Sequence, residues 1–138
     1  MKTDEQLLKT FEVDIDKAGY LCIAFKEAVM EDDENARRAE LLVAQAYSIL
    51  DKHPEKSFQV IVDTTPMGNK SHISDKANKL YQKFASDKRV MNAAVIGDPE
   101  IQSKPVKFFM VFAKKFIKVN WFQNKDEAVL WLEQERKE

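Results

Sequence analysis

The chain has 138 residues, of which 44% are apolar and 33% charged, with a formal net charge of −1. That length predicts a single domain, residues 1–138, able to bury roughly two-thirds of its unfolded surface without metal or disulfide staples. Interspersed charges exclude the basic stripe of a nucleic-acid binder, the single Cys22 excludes an intramolecular disulfide, and no apolar run approaches the ~20 residues of a membrane span.

The N-terminal segment MKTDEQLLKTFEVD carries acidic residues where an export signal has its apolar core, so a cytoplasmic protein is expected. Phe11–Asp16 alternates apolar and acidic residues, the pattern of a half-exposed strand. Lys17-Ala18-Gly19 reads as a turn and Tyr20–Phe25 as a second strand. A parallel crossover needs about a dozen residues, so this short link predicts an antiparallel hairpin. Within the second strand Cys22 reads as a buried, inert thiol.

The acidic run Glu31-Asp32-Asp33-Glu34 introduces a helix, where carboxylates face the positive end of the helix dipole and an Asp can cap free amides. Ala36, Ala39, Val43, Ala46, Tyr47 and Leu50 recur at helical spacing and give this helix one sheet-facing side. Lys52-His53-Pro54 ends it, because the residue before proline avoids helical angles. Phe58–Asp63 is the third strand, central by its apolar content, and Thr64–Lys70 is a loop turned by Pro66 and Gly68.

The next helix begins near Ser71 or Ser74, with Ile73, Ala77, Leu80, Tyr81 and Phe84 on one face. Val90–Gly97 is the fourth strand. Asp98 and Pro99 open a single turn, and Pro105 requires the main helix to restart at Ser103. Phe116–Phe122 is the fifth strand. Asn124 and Glu127 stand in capping-box relation at the start of the last helix, whose buried face is Ala128, Trp131 and Leu132. The order ββαβαβαβα predicts an α/β domain with a mixed, mostly parallel sheet that begins in an antiparallel hairpin.

FQVIVD, MNAAVIGDPE and WFQNKDEAVLWLEQ, taken with this element order, resemble the STAS superfamily of sulphate transporters and anti-sigma-factor antagonists. The likeness is strongest to small bacterial SpoIIAA-like proteins, many without an assigned activity. Phe122, Glu127, Ala128, Trp131 and Leu132 fit the closing pattern of those relatives, although a capping box and an apolar face would produce it in any α/β protein. The resemblance implies a STAS-like fold and a regulatory role through a protein partner. Phosphorylated antagonists of that superfamily are similar to one another in an Asp-Ser-Ser-Gly type motif, absent from TTPMGNKSHISD here. If regulation by phosphorylation persists, Ser71 or Ser74 is the expected residue, because a phosphate at a helix start meets free amides.

Ligands of open α/β sheets gather beyond the carboxyl ends of the strands, which makes Thr64, Thr65, Ser71, Ser74 and Asp98 the candidate ligand-binding residues. Their hydroxyls and the nearby helix-start amides suit a small anion. Ordinary turn and capping chemistry accounts for the same residues. Asp63 does not fit a phospho-accepting aspartate, since the hairpin leaves no room for a helix between the first two strands. His53 and His72 lie apart, and no metal-ligand cluster, nucleophile elbow, P-loop or dinucleotide motif occurs. No metal or cofactor is expected, nor a catalytic activity, although His72 beside Ser71 and Ser74 leaves a weak nucleophile–base pairing open.

The segment KPVKFFMVFAKKF has more apolar residues than one helical face can bury. Phe108, Phe109, Phe112 and Phe116 make one stripe, leaving Val106, Met110 and Val111 or Ala113 toward a second surface. Lys107, Phe109, Met110 and Lys114 are therefore the candidate interface, for a protein partner, self-association or an anionic lipid. A wider face buried by the chain itself accounts for the pattern equally well. The expected function is a non-enzymatic STAS-like regulatory or interaction domain. The alternative is a small-ligand or lipid-binding module, which an apolar cavity among Phe108, Phe109 and Phe112 would favour.

Overall fold

A computed structural model describes residues 1–137. The elements run α1 (Asp4–Leu8), β1 (Phe11–Ile15), β2 (Leu21–Phe25), α2 (Asp32–Lys52), β3 (Phe58–Asp63), α3 (Asp75–Ala85), β4 (Val90–Ile96), α4 (Lys104–Ala113), β5 (Lys118–Phe122) and α5 (Lys125–Lys137). Single 3₁₀ turns at Thr65–Met67 and Pro99–Ile101 follow β3 and β4. The strands form one sheet in the order β1-β2-β3-β4-β5. β1 pairs antiparallel with β2, and every later pairing is parallel. The α/β class and the mixed sheet are thus as the sequence pattern predicts.

The hairpin turn is built by Asp16, whose Oδ1 accepts the N–H groups of Ala18 and Tyr20, both at 3.0 Å. Gly19 completes it at φ +92°, a conformation that side chains disfavour. Local caps fix the helix starts. The Ser74 hydroxyl accepts the Ala77 N–H, Ser103 accepts that of Val106, and Asn124 accepts that of Glu127. At α2 the cap is Glu31 rather than an Asp, accepting the N–H groups of Asp33 and Glu34. The sequence reading missed α1, a five-residue helix closed by a Thr3–Gln6 capping box. Only Leu7 of it is buried, too little for a periodic signal.

Alternation along the strands sends side chains to two cores. Leu21, Ile23, Val60, Val95 and Val119 face α2, α3 and α4 through Leu42, Ala46, Phe84 and Met110. Ile61, Ala94 and Ile96 face α5 through Ala128 and Leu132 on the other side. The closing motif is largely this second core. Ala128 and Leu132 are fully buried, and the rings of Phe122 and Trp131 stand 5.4 Å apart.

Candidate functional site

The carboxyl ends of β3 and β4 bring Thr64, Thr65 and Asp98 into one open groove of about 540 Å³, with Gly68, Gly97 and Gln123. Their polar groups are already engaged. Thr64 Oγ1 donates to the Ile96 carbonyl at 2.8 Å, and Thr65 donates its N–H and hydroxyl to Asp63 Oδ1. Asp98 Oδ1 accepts the Glu100 N–H at 2.9 Å. Asp98 and Glu100 line the groove and no lysine or arginine does. Its charge therefore opposes the small anion expected from the sequence.

Ser71 and Ser74 do not join that groove. Ser71 is 2% exposed, and its Oγ lies 3.4 Å from the Ser103 N–H; Ser74 is 6% exposed and caps α3. Asn35, buried on α2, holds the segment down by donating to the carbonyls of Val29 and His72 and accepting the Ser74 N–H. Phosphorylation of either serine would first require this segment to open. His72 Nε2 pairs with Asp32 Oδ1 at 2.6 Å, so the histidine is turned to a carboxylate rather than to a serine hydroxyl.

Between the sheet and α2, α3 and α4 lies a cavity of about 130 Å³. Its walls are apolar, among them Leu42, Val60, Phe84, Val95, Val106 and Met110. Ile73, Tyr81 and Phe109, all half-buried, line it where α3 meets α4. Phe109 is the one residue of the expected Phe108, Phe109 and Phe112 trio that reaches it.

Arg38, Tyr81, Ser71 and Gln102 are the polar residues that matter most among those lining it. Arg38 is 2% exposed. Its Nη1 donates to the Glu27 carbonyl at 2.7 Å and reaches Thr10 Oγ1 at 3.5 Å, while Nη2 has, among the described residues, only the Met67 sulfur at 4.0 Å. The Phe25 ring centroid lies 4.9 Å from Arg38 Cζ. Nε has no acceptor, and among the described residues no carboxylate forms an ion pair with this guanidinium. Burial lowers the Arg38 pKa from its usual value, offset in part by Tyr81 and by Glu27 at longer range. Burial likewise pushes the Tyr81 phenol up to about 12, opposed by Arg38, so the two groups feel one another. Gln102 Oε1 is also buried without a donor.

Sequence reasoning missed Arg38, although a signal was present. Asn35, Arg38, Ala39, Leu42 and Ala46 share one helical stripe, all of them buried, which puts a cation on the sheet-facing side of α2.

On α4 and just beyond it the structure reverses the expected sides of Val106, Met110, Phe108 and Phe116, whereas Val111 is exposed as expected. Val106, Met110 and Ala113 are buried, whereas Phe108 is 58%, Val111 61% and Phe116 52% exposed. Met110 is therefore core rather than interface, and Phe109 is half-buried in contact with Tyr81. Lys107 and Lys114 are exposed as expected. The reason is volume: Ala113 and the flexible Met110 allow α4 to sit close to the sheet, which a stripe of phenylalanines would hold off.

Among the described residues no cluster of three or more His, Cys, Asp or Glu could hold a metal, and no helix is long and apolar enough to cross a membrane. A family described as a domain of unknown function, DUF7793, matches residues 16–136. No curated protein and no solved structure matches the chain.

Proposed function

The chain belongs to the DUF7793 family, a domain of unknown function, and we propose that it is a binding module for a small, mainly apolar ligand held between the sheet and α2, α3 and α4. The cavity carries this reading. Cores are normally packed with few voids larger than a water molecule. A space of 130 Å³ with apolar walls lets an occupant take apolar surface of its own out of water. An apolar cavity of about 150 Å³ is enough to take up benzene.

Benzene and indole titrated against the protein, followed by amide and methyl NMR, test the proposal. Shifts should concentrate at Ala93, Val95, Val106 and Ala113, which line the cavity. Ala113→Leu should fill the space, keep the fold and abolish the shifts. A wild-type protein that binds neither probe, or an Ala113→Leu variant that melts lower by the ~1–3 kcal/mol of overpacking, would overturn it.

A second reading keeps the STAS-like expectation of a regulatory interaction domain without chemistry of its own. Its support is the exposed apolar side of α4 at Phe108 and Val111, continued by Phe116 and flanked by Lys104, Lys107, Lys114 and Lys115. Charge substitution on that side tests it, as described in the Discussion.

A further inference from the structure

We infer that the ligand of this cavity is a small apolar carboxylate whose head group pairs with the buried guanidinium of Arg38, an inference that rests on the binding-module reading above. Arg38 is a 2%-exposed cation among the residues that line an apolar cavity; among the described residues its buried Nε–H has no acceptor, and its Nη2 contacts a thioether sulfur. A guanidinium presents paired N–H groups in the geometry of a carboxylate. A buried cation without a counter-charge is costly, whereas a paired and hydrogen-bonded one is tolerated. Water could accept from Nε, but it would leave the charge uncompensated.

The carboxylate class follows from charge and size. One negative charge neutralises Arg38, whereas a phosphate dianion would leave an excess charge in an apolar enclosure. The cavity volume of 130 Å³ suits a body of about six carbon atoms. The phenol of Tyr81, which lines the cavity and makes no hydrogen bond among the described residues, supplies a further donor for the head group. Arg38 is already desolvated by folding, so the ligand contributes only the desolvation of its own head.

Hexanoate and hexan-1-ol share one chain length and differ in head group, so titrating both at pH 7 isolates the charge. Wild-type protein should bind hexanoate about ten-fold or more tighter than hexanol. Arg38→Gln should remove that preference while hexanol and benzene still bind. Arg38→Lys keeps the charge but loses the planar fork, and should weaken hexanoate selectively; it decides the matter if the Gln variant does not fold. Equal or better binding of hexanol by wild type, or an acid preference surviving in both variants, overturns the carboxylate assignment and leaves the apolar site standing. Failure of hexanoate, hexanol and benzene alike overturns the site and the assignment together.

Discussion

Asn35 Oδ1 accepts the backbone N–H of Ser74 at 2.9 Å across 39 residues of sequence, while its Nδ2 donates to the Val29 and His72 carbonyls at 2.8 and 2.9 Å. One buried amide thus ties the start of α2 to the segment that leads into α3 and borders the cavity. Asn35→Leu would leave two carbonyls and one N–H without partners. We expect a loss of about 3 kcal/mol in urea unfolding, with faster hydrogen exchange at Ser74 than elsewhere in α3. A loss within about 0.5 kcal/mol would mean that solvent replaces these bonds easily.

Gly97 is closed in by Thr64. An added Cβ would lie 2.3 Å from Thr64 Oγ1 and 3.2 Å from the Trp121 ring. Gly97→Ala should therefore cost about 2 kcal/mol, the scale of local overpacking. The double variant Gly97→Ala, Thr64→Ala removes the closer contact and should recover part of the loss relative to Thr64→Ala alone. Additive losses in a double-mutant cycle would show that the two positions do not meet.

The two sides of α4 separate by charge substitution. Met110→Glu forces a carboxylate into the core and should cost about 3 kcal/mol or more. Val111→Glu lies on the exposed side and should change the melt by no more than about 0.5 kcal/mol. If that side binds a second copy of the chain, sedimentation should show association in wild type that Val111→Glu abolishes. A wild type that stays monomeric at high concentration counts against self-association.

Cys22 should be nearly inert. Burial, followed by the nearby Asp16 carboxylate, pushes its thiol up to about 11, and Sγ lies 3.7 Å from both Asp16 Oδ2 and the Tyr20 carbonyl. At pH 8 about one thiol in a thousand is ionised, so labelling by iodoacetamide should run roughly a hundred-fold slower than in the urea-unfolded chain. Equal rates in the two states would contradict the strand setting of this residue.

The turn before β4 gives an acid-sensitive contact. Hydrogen bonds from the Arg89 guanidinium hold the Asp87 carboxyl below its ordinary value of 3.8, against the opposing effect of burial. A depressed folded pKa contributes stability above the unfolded value and loses it as pH falls through the folded one. Asp87→Asn keeps an oxygen for the Arg89 N–H but removes the charge. Its melt should fall below wild type at pH 7, and the gap should close progressively below about pH 4. A gap of constant size down to pH 2 would assign the effect to packing instead.

The sequence determined what short-range chemistry decides. Residues three or four apart cap α3, α4 and α5 at Ser74, Ser103 and Asn124, and the three-residue turn at Lys17–Gly19 compels an antiparallel hairpin. Alternation and apolar runs located the strands to within about two residues, and βα alternation made the rest of the sheet parallel. Tertiary structure decided what depends on which surfaces meet. The segment at Lys104–Lys115 offers two apolar stripes of similar strength, and only close packing against the sheet selects Met110 and Ala113 over Phe108. The loop serines look accessible in sequence, but both are buried in a segment that a carboxamide on α2 ties down. Arg38 reads locally as one more charge on a polar helix. Its burial with no ion-pair partner among the described residues, beside a cavity lined by three helices and the sheet, exists only once elements distant in sequence have packed together.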